Sequence, residues 1–382
     1  MNKANWNEFS FGEVVTNLKI NCNPVAERIE KFVAGEHIET DSLKIKSWGL
    51  VGKDYLGPAF HRKFFPNQIL YGSRRTYLRK VAVTDFTGVC ANTTFVFESK
   101  PDKLLNELLP FIIQSHGFTN HSVGNSKGST NPFVNYKDLA RYRLFLPPRK
   151  EQSKVLSVFQ SIETAIEQAE QQEKNLKLLQ KSLSNGLVSK EHVFGNLLDR
   201  KNCKPINFGG IVDCIEQHDK QKKDVSRFIG LENIEPENLK ITTWGNIDDG
   251  TTFTKRFLKG DVLLGKRRAY LKKVVVADFA GICSSDILVF RAKAEMILPE
   301  LLPYYASNDS FINHAVSTSA GSLSPRTKWR DLSFFELAIP DMKTQKRIVE
   351  VFQQLQSTLD QIKSQIQTLK NLKQKLLNEI LG

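Results

Sequence analysis

Two basic segments hold the densest chemistry in the chain. The first sets Arg74, Arg75, Arg79 and Lys80 around Tyr77; the second sets Lys266, Arg267, Arg268, Lys272 and Lys273 around Tyr270. Arginine grips phosphate oxygens or pairs bidentately with guanine in a major groove, and tyrosine stacks or hydrogen-bonds. Residues of this type at this spacing suit contact with DNA. Gly72 and Gly265 open the two segments and allow a tight turn or a close backbone approach. The plainer reading is a solvated basic turn. Downstream lie two Gly- and Ser-rich stretches, SVGNSKGSTNP (122–132) and AVSTSAGSLSP (315–325). Ser129, Asn131, Ser322 and Ser324 in them can reach base edges or phosphates, and Arg326 extends the second with charge. A plain connecting loop explains these stretches nearly as well.

Catalytic signatures all fail on a required residue. GDVLLGKR (260–267) has the spacing of a phosphate-binding loop, but Arg267 stands where Ser or Thr is needed. Asp85, Glu98 and Lys100 have the spacing of a nuclease, yet the repeat replaces Glu98 by Arg291. Asn131-Pro132-Phe133 matches only part of the adenine-methyltransferase tetrapeptide, and no Gly-rich cofactor loop precedes it. His61, His121 and His314 have no metal spacing, and the last two, as a repeated pair, read as structural. The expectation is a binder without catalytic residues, metal or cofactor.

The elements that position these segments emerge from a duplication. GSRRTYLRKVAVTDFTGVCANTTFVF (72–97) aligns without gaps on GKRRAYLKKVVVADFAGICSSDILVF (265–290), with 14 of 26 positions identical at an offset of 193. The offset carries on through Glu107/Glu300, Phe118/Phe311, His121/His314, Gly128/Gly321, Pro147/Pro340 and Gln152/Gln345. Upstream, HIETDSLKIKSWG (37–49) pairs with NIEPENLKITTWG (233–245), and FGEVV (11–15) with FGGIV (208–212). Within each repeat, β-branched and aromatic runs such as 80–86, 93–99 and 287–292 predict strands, while 104–113 and 299–307 predict helix. The repeated Trp48 and Trp244 read as core or hinge aromatics, with base stacking as the second option.

Beyond Pro147-Pro148 and Pro340 each repeat changes to a heptad pattern. The second copy runs Ile348, Phe352, Leu355, Leu359, Ile362, Ile366, Leu369, Leu376 and Ile380, broken only at Lys373. The first runs Val155, Phe159, Ile162, Ile166, Ala169, Leu176, Leu183 and Leu187, broken at Glu173 and Gln180. A narrow stripe this long predicts two helices packed on each other, with packing on each helix's own globule as the alternative. About 38 residues at 1.5 Å rise make a helix of roughly 57 Å.

Composition is consistent with this. The 382 residues include 54 Lys and Arg against 41 Asp and Glu, a net charge of +13 that favours a polyanionic partner. The excess is shared: 26 basic and 19 acidic residues precede position 194, and 28 and 22 follow. Five cysteines without CxxC spacing exclude a disulfide framework and a cysteine-rich zinc site. The amino-terminal segment has no apolar signal region, and no apolar run of spanning length occurs, so the expectation is a cytoplasmic protein without membrane contact.

These segments together resemble the specificity (S) subunit of a Type I restriction-modification system. FGEVV and FGGIV, the repeated 265–290 segment, GSLSP (321–325), LFLPPRKEQSKVLSVF (144–159) and AIPDMKTQKRIVEVF (338–352) carry the resemblance along essentially the whole chain. The Pro-then-Gln start of each long helix is its most specific part. The resemblance implies mixed α+β target-recognition domains, duplicated in tandem and joined by two long helices in an antiparallel coiled coil with pseudo-two-fold symmetry. The expected boundaries are 1–148 and 206–341 for the recognition domains, 149–190 and 342–382 for the helices, and 191–205 for the connector. Each domain would read one half of a bipartite double-stranded DNA target, with the helices setting the spacer. Two methyltransferase subunits would dock, and motor-endonuclease subunits would join them. Phe159, Ile162, Ile166, Leu176, Phe352, Leu355, Leu359, Ile362, Ile366 and Leu369 are the expected pairing and docking positions. S-adenosylmethionine, ATP and Mg would belong to the partners. Alternatives are a recognition chain for a different two-part methylating nuclease, a standalone nuclease, or a purely structural coiled coil.

Recognition domains in such subunits are often dissimilar, whereas these two are close relatives. Methylation mapping of the host genome should therefore show two related half-sites in inverted orientation; two unrelated half-sites would refute this.

Overall fold

In the computed structural model, which describes residues 5–188 and 194–382, each repeat is built around one phenylalanine. Phe11 is fully buried and packs on Phe118 at 4.9 Å and Phe97 at 5.5 Å between ring centroids. Phe208 does the same with Phe311 at 4.4 Å and Phe290 at 5.3 Å. Aromatic contacts of this geometry add about 0.5–1.5 kcal/mol to the area each ring buries. This is why the short FGEVV and FGGIV segments recur.

The chain divides into two units. One gathers the described residues of Met1–Glu170 together with Ser364–Gly382; the other is Gln171–Lys363. The first unit holds an antiparallel sheet in the order Val15–Leu18, Thr94–Ser99, Ile69–Gly72, Val81–Val83. Its second sheet runs Gly49–Leu50, Lys31–Val33, Gly88–Ala91, Phe60–Phe64, with one parallel pairing, Phe32 to Val89. A two-stranded ribbon pairs Asn7–Ser10 with Arg143–Leu146. The second unit repeats this plan. Val212–Cys214, Ile287–Ala292, Val262–Gly265 and Val274–Val276 form its first sheet. Gly245–Asn246, Arg227–Ile229, Gly281–Cys283 and Lys255–Phe257 form the second. The strands expected around 80–86, 93–99 and 287–292 are present as Val81–Val83, Thr94–Ser99 and Ile287–Ala292.

Trp48 and Trp244 depart from the core reading. They are 40% and 42% exposed, and each is sandwiched at the surface. Trp48 lies against Phe86 with the Lys31 ammonium 4.0 Å from its ring centre; Trp244 lies against Phe279 with the Arg227 guanidinium at 4.3 Å. A cation over an indole face explains why a large aromatic is kept at the surface. The glycine that follows each tryptophan is a steric requirement. A Cβ on Gly49 or Gly245 would come 2.1 Å from the ring of Phe32 or Phe228.

The two long helices are Arg149–Gly186 and Met342–Leu376, and the second closes in a π-helical turn, Leu377–Leu381. Of the expected first helix, 189–190, and of the expected connector, 191–193, lie outside the described residues. Each helix starts on a buried amide. Gln152, 1% exposed, accepts the Leu105 N–H at 2.8 Å and donates to the carbonyls of Lys103 at 2.7 Å and Pro147 at 3.2 Å. Gln345, also 1% exposed, accepts from Leu298 at 2.9 Å and donates to the carbonyls of Met296 and Pro340, both at 3.0 Å. The Pro-then-Gln signature is thus a clamp between helix and globule.

Helix pairing is antiparallel inside each unit. In the first, Glu163 pairs with Lys373, and Glu170 with Lys370 at 2.9 Å. In the second, Gln180 donates to Gln356 at 3.3 Å. These are equivalent places: Lys373 corresponds to Gln180 and Glu163 to Gln356 at the offset of 193. The heptad residues Ile162, Ile166, Leu359, Ile362 and Ile366 are buried, and Leu176 and Leu369 half-buried. Both packing expectations hold at different heights. Phe159 stacks on Phe111 of its own globule at 5.1 Å, and Phe352 stacks on Tyr304 at 3.7 Å, before the helices turn to each other. No helix among the described residues is long and apolar enough to cross a membrane.

Replacing Gln345 with Leu removes the partner of one N–H and two carbonyls that lie buried or part-buried, at about 1 kcal/mol each. Urea unfolding should register a loss of roughly 3 kcal/mol; an unchanged midpoint would remove the clamp.

Candidate nucleic-acid interface

The basic segment of each unit leaves one sheet strand, makes a single 3-10 turn and returns as the neighbouring strand. In the first unit the turn is Thr76–Leu78, between Ile69–Gly72 and Val81–Val83; in the second it is Ala269–Leu271, between Val262–Gly265 and Val274–Val276. Both turns are flanked by non-glycine residues in the left-handed region. Arg75 and Arg79 have φ of 49° and 47°; Arg268 and Lys272 have 50° and 51°. A side chain held there costs about 1–3 kcal/mol, and such positions concentrate where function fixes the residue.

The structure brings the two sequence-predicted loops together. Arg75 N–H donates to the Pro132 carbonyl at 2.7 Å, and Val134 N–H to the Ser73 carbonyl at 3.0 Å. Arg268 donates to Pro325 at 2.9 Å, and Thr327 to Lys266 at 3.0 Å. Arg74 faces Phe133 across an antiparallel bridge, and Arg267 faces Arg326 in the same way. Each Ser-rich loop is therefore welded to its Arg-Tyr turn, with Gly128 and Gly321 at φ 92° and 111° supplying the bend.

From this platform Arg74, Arg75, Tyr77, Ser129 and Asn131 are exposed in the first unit. In the second, Arg268, Tyr270, Ser322 and Arg326 are exposed, and Lys266, Arg267 and Ser324 half-buried. Tyr77 and Tyr270 are each 55% exposed, and Leu323, at the loop tip, is 92% exposed.

The other four cations point elsewhere. Arg79 pairs with Asp41 at 2.5 Å and donates to Gln374 at 3.0 Å, reaching the carboxy-terminal helix. Lys272 pairs with Asp309 and, at 3.4 Å, with Glu237. Lys80 donates to the Gly35 carbonyl, and Lys273 to that of Leu231 at 2.5 Å. These side chains brace the turn against its own unit. Burial acts to raise the Asp309 carboxyl, but hydrogen bonds from Lys272 and Asn185 hold it below the usual carboxylate value. Asn185 belongs to the first long helix; its counterpart Asn378 accepts from the His116 N–H at 3.0 Å in the other unit. A cleft of about 370 Å³ at this junction in the first unit is filled with cancelling charge, including Lys44–Glu167 at 2.6 Å and Lys46–Glu39 at 2.9 Å.

His121 and His314 donate Nε2–H to the carbonyls of Asp138 at 2.8 Å and Asp331 at 2.9 Å, and so serve structure. Burial pushes the Cys90 and Cys283 thiols up to about 12, which makes them poor nucleophiles at neutral pH. Among the described residues no group of three or more His, Cys, Asp or Glu is placed to hold a metal. Sequence reasoning missed Asp286. Its carboxylate lies 2.7 Å from Arg267 Nε and 3.5 Å from Arg326 Nε. The available signal was an acid in the second copy where the first has Thr93.

Comparison with known proteins gives a consistent picture. The family model described as Type I restriction modification DNA specificity domain matches residues 5–178 and 211–371. Over 321 residues the chain is 25% identical to the Type I restriction enzyme EcoDI specificity subunit of Escherichia coli, covering 74% of this chain and 70% of that one. A chain from a solved type I R-M system, studied for complex assembly and conformational transition, superposes with a TM-score of 0.62. It shares 18% identity, and the match covers 98% of this chain and 97% of that chain. The Type I restriction-modification S subunit from M. genitalium gives 0.56 at 12% identity, covering 99% and 96%. At these identities the two structures establish the fold.

Replacing Arg75 or Arg268 with Gly relieves the left-handed backbone while removing the guanidinium. Thermal unfolding should show stability held or raised by up to about 1 kcal/mol, while DNA affinity falls; a variant that is destabilised and binds as before contradicts this assignment.

Proposed function

We infer the function from one premise: this chain belongs to the Type I restriction modification DNA specificity family, whose domain model matches it twice. It is a DNA-recognition subunit. We propose further that residues 1–148 and 206–341 are two readers, each addressing one half of a bipartite duplex target. The paired helices set the unread spacer and, through positions such as Ile162, Ile166, Leu359 and Ile362, dock two methyltransferase subunits. Motor-endonuclease subunits complete the assembly. Adenine methylation with S-adenosylmethionine, and ATP- and Mg-dependent cleavage, are the work of those partners.

The observation that carries this reading is the welded platform, present twice, with its exposed Arg-Tyr turn and Ser-rich loop. Arg74, Arg75 and Tyr77 with Ser129 and Asn131 form one contact surface. Lys266, Arg267, Arg268, Tyr270, Ser322, Ser324 and Arg326 form the other. Arg79, Lys80, Lys272 and Lys273 act behind it, holding the turns in shape. Phosphate contacts set register and base-edge contacts carry sequence, so each surface needs both long cations and short polar groups.

The test is a gel shift with the chain assembled on its methyltransferase subunits. Arg74→Ala with Arg75→Ala should weaken binding about 10- to 100-fold and relax only the first half-site, and Arg267→Ala with Arg268→Ala only the second. Equal affinity and unchanged preference in both pairs would remove these turns from the interface.

A further inference from the structure

The two platforms share a backbone but not their side-chain circuitry. In the second unit Arg267 and Arg326 stand opposite each other on an antiparallel bridge, where side chains are close neighbours. Two like charges at that spacing repel. Asp286 lies between them, 17% exposed, 2.7 Å from Arg267 Nε and 3.5 Å from Arg326 Nε. Both contacts are ion pairs on the Nε side, with no hydrogen bond at Arg267 Nε, while the arginine side chains remain 39% and 49% exposed. In the first unit both partners have changed at once. Phe133 takes the place of Arg326, Thr93 takes the place of Asp286, and Arg74 makes no ion pair among the described residues.

We propose that Asp286 is a positioning residue that sets base specificity in the second reader. It holds Arg267 and Arg326 by Nε so that a terminal guanidinium fork addresses the O6 and N7 of a guanine. The second half-site then demands a G·C pair at the position where the first, read by an untethered Arg74 beside Phe133, accepts other pairs. The proposal rests on the DNA-recognition reading given above.

Two physical arguments support it. An arginine fork is planar and gains specificity when its freedom is restricted; an ion pair with a carboxylate on the Nε side narrows its range before binding and lowers the ordering cost. The net charge of the two clusters is also the same. Arg267, Arg326 and Asp286 sum to one positive charge, as does Arg74 alone. At these positions the readers differ in the arrangement of charge rather than its amount, so this exchange bears on sequence readout more than on bulk attraction to phosphates; Lys266 in place of Ser73 is a separate cationic difference.

That split supplies the test. The full chain, assembled with its methyltransferase subunits, is bound to a duplex library randomised across both half-sites. Asp286→Asn adds one net positive charge and frees both forks. Its expected effect is a loss of about 5- to 150-fold in discrimination for G·C at one second-half-site position. Sequence-independent binding should hold or tighten, and first-half-site discrimination should not move. Asp286→Glu should restore part of the preference, which a merely structural role would not predict. The reciprocal variant, Thr93→Asp with Phe133→Arg, should create a G·C demand in the first half-site, and it keeps the proposal testable if Asp286→Asn unfolds. Unchanged discrimination at every second-half-site position in Asp286→Asn, or no gain in the reciprocal variant, overturns the role of Asp286 and leaves the recognition function standing. A parent chain that discriminates at neither half-site overturns both.

Discussion

Two buried amides govern this molecule. Gln152 and Gln345 each tie the first turn of a long helix to a loop of the preceding globule, satisfying one N–H and two carbonyls, of which the proline carbonyl bond is buried and the others part-buried. An amide can do this because it accepts and donates at once; a carboxylate, a lysine or an apolar side chain would leave at least one partner orphaned. Fixing the first turn fixes the direction of the helix. The stacked Phe159 on Phe111 and Phe352 on Tyr304 then set its rotation, which decides where the heptad stripe faces. Antiparallel pairing, the docking of Asn378 on His116 and of Asn185 on Asp309, and the bracing of Arg79 and Lys272 all follow from that orientation.

Much of this was legible in the sequence because it is repetitive. The 193-residue offset exposed the duplication, the heptads exposed the helices, and the Arg-Tyr and Ser-rich segments were found before their contact was known. That the two segments join was not legible, since the bond between them is made by backbone groups of Arg75 and Pro132, which carry no residue-type signature. Nor was the inward turn of Arg79, Lys80, Lys272 and Lys273. Sequence gives charge but not direction, and a left-handed residue on each side of a 3-10 turn sends neighbouring cations to different sides. The tryptophans misled for a related reason: a half-exposed indole under a cation has the same letter as a core one.

Duplication followed by local divergence explains the distribution of identity and change. Positions that set backbone shape are retained, among them Phe11/Phe208, Gly49/Gly245, Gln152/Gln345 and the left-handed Arg75/Arg268. Positions that meet solvent from the platform have drifted, as Thr93/Asp286 and Phe133/Arg326 show. A frame held by main-chain hydrogen bonds tolerates such drift, because those bonds join the loops in both units whether or not an ion pair such as Asp286 with Arg326 is added.

The unequal polar layers of the helix pair bear on fidelity of assembly. Glu163 meets Lys373 in one unit, while Gln180 meets Gln356 at the equivalent place in the other. If the first helix paired with its own counterpart from another chain, Glu163 would sit against Gln180 at both ends. Two second helices would set Lys373 against Gln356. Either exchange strands a lone charge in a largely dry seam, an error of several kcal/mol at each end. Only the pairing of first helix with second matches acid to base and amide to amide. Newly made chains thus carry a code against pairing two first helices or two second helices with each other.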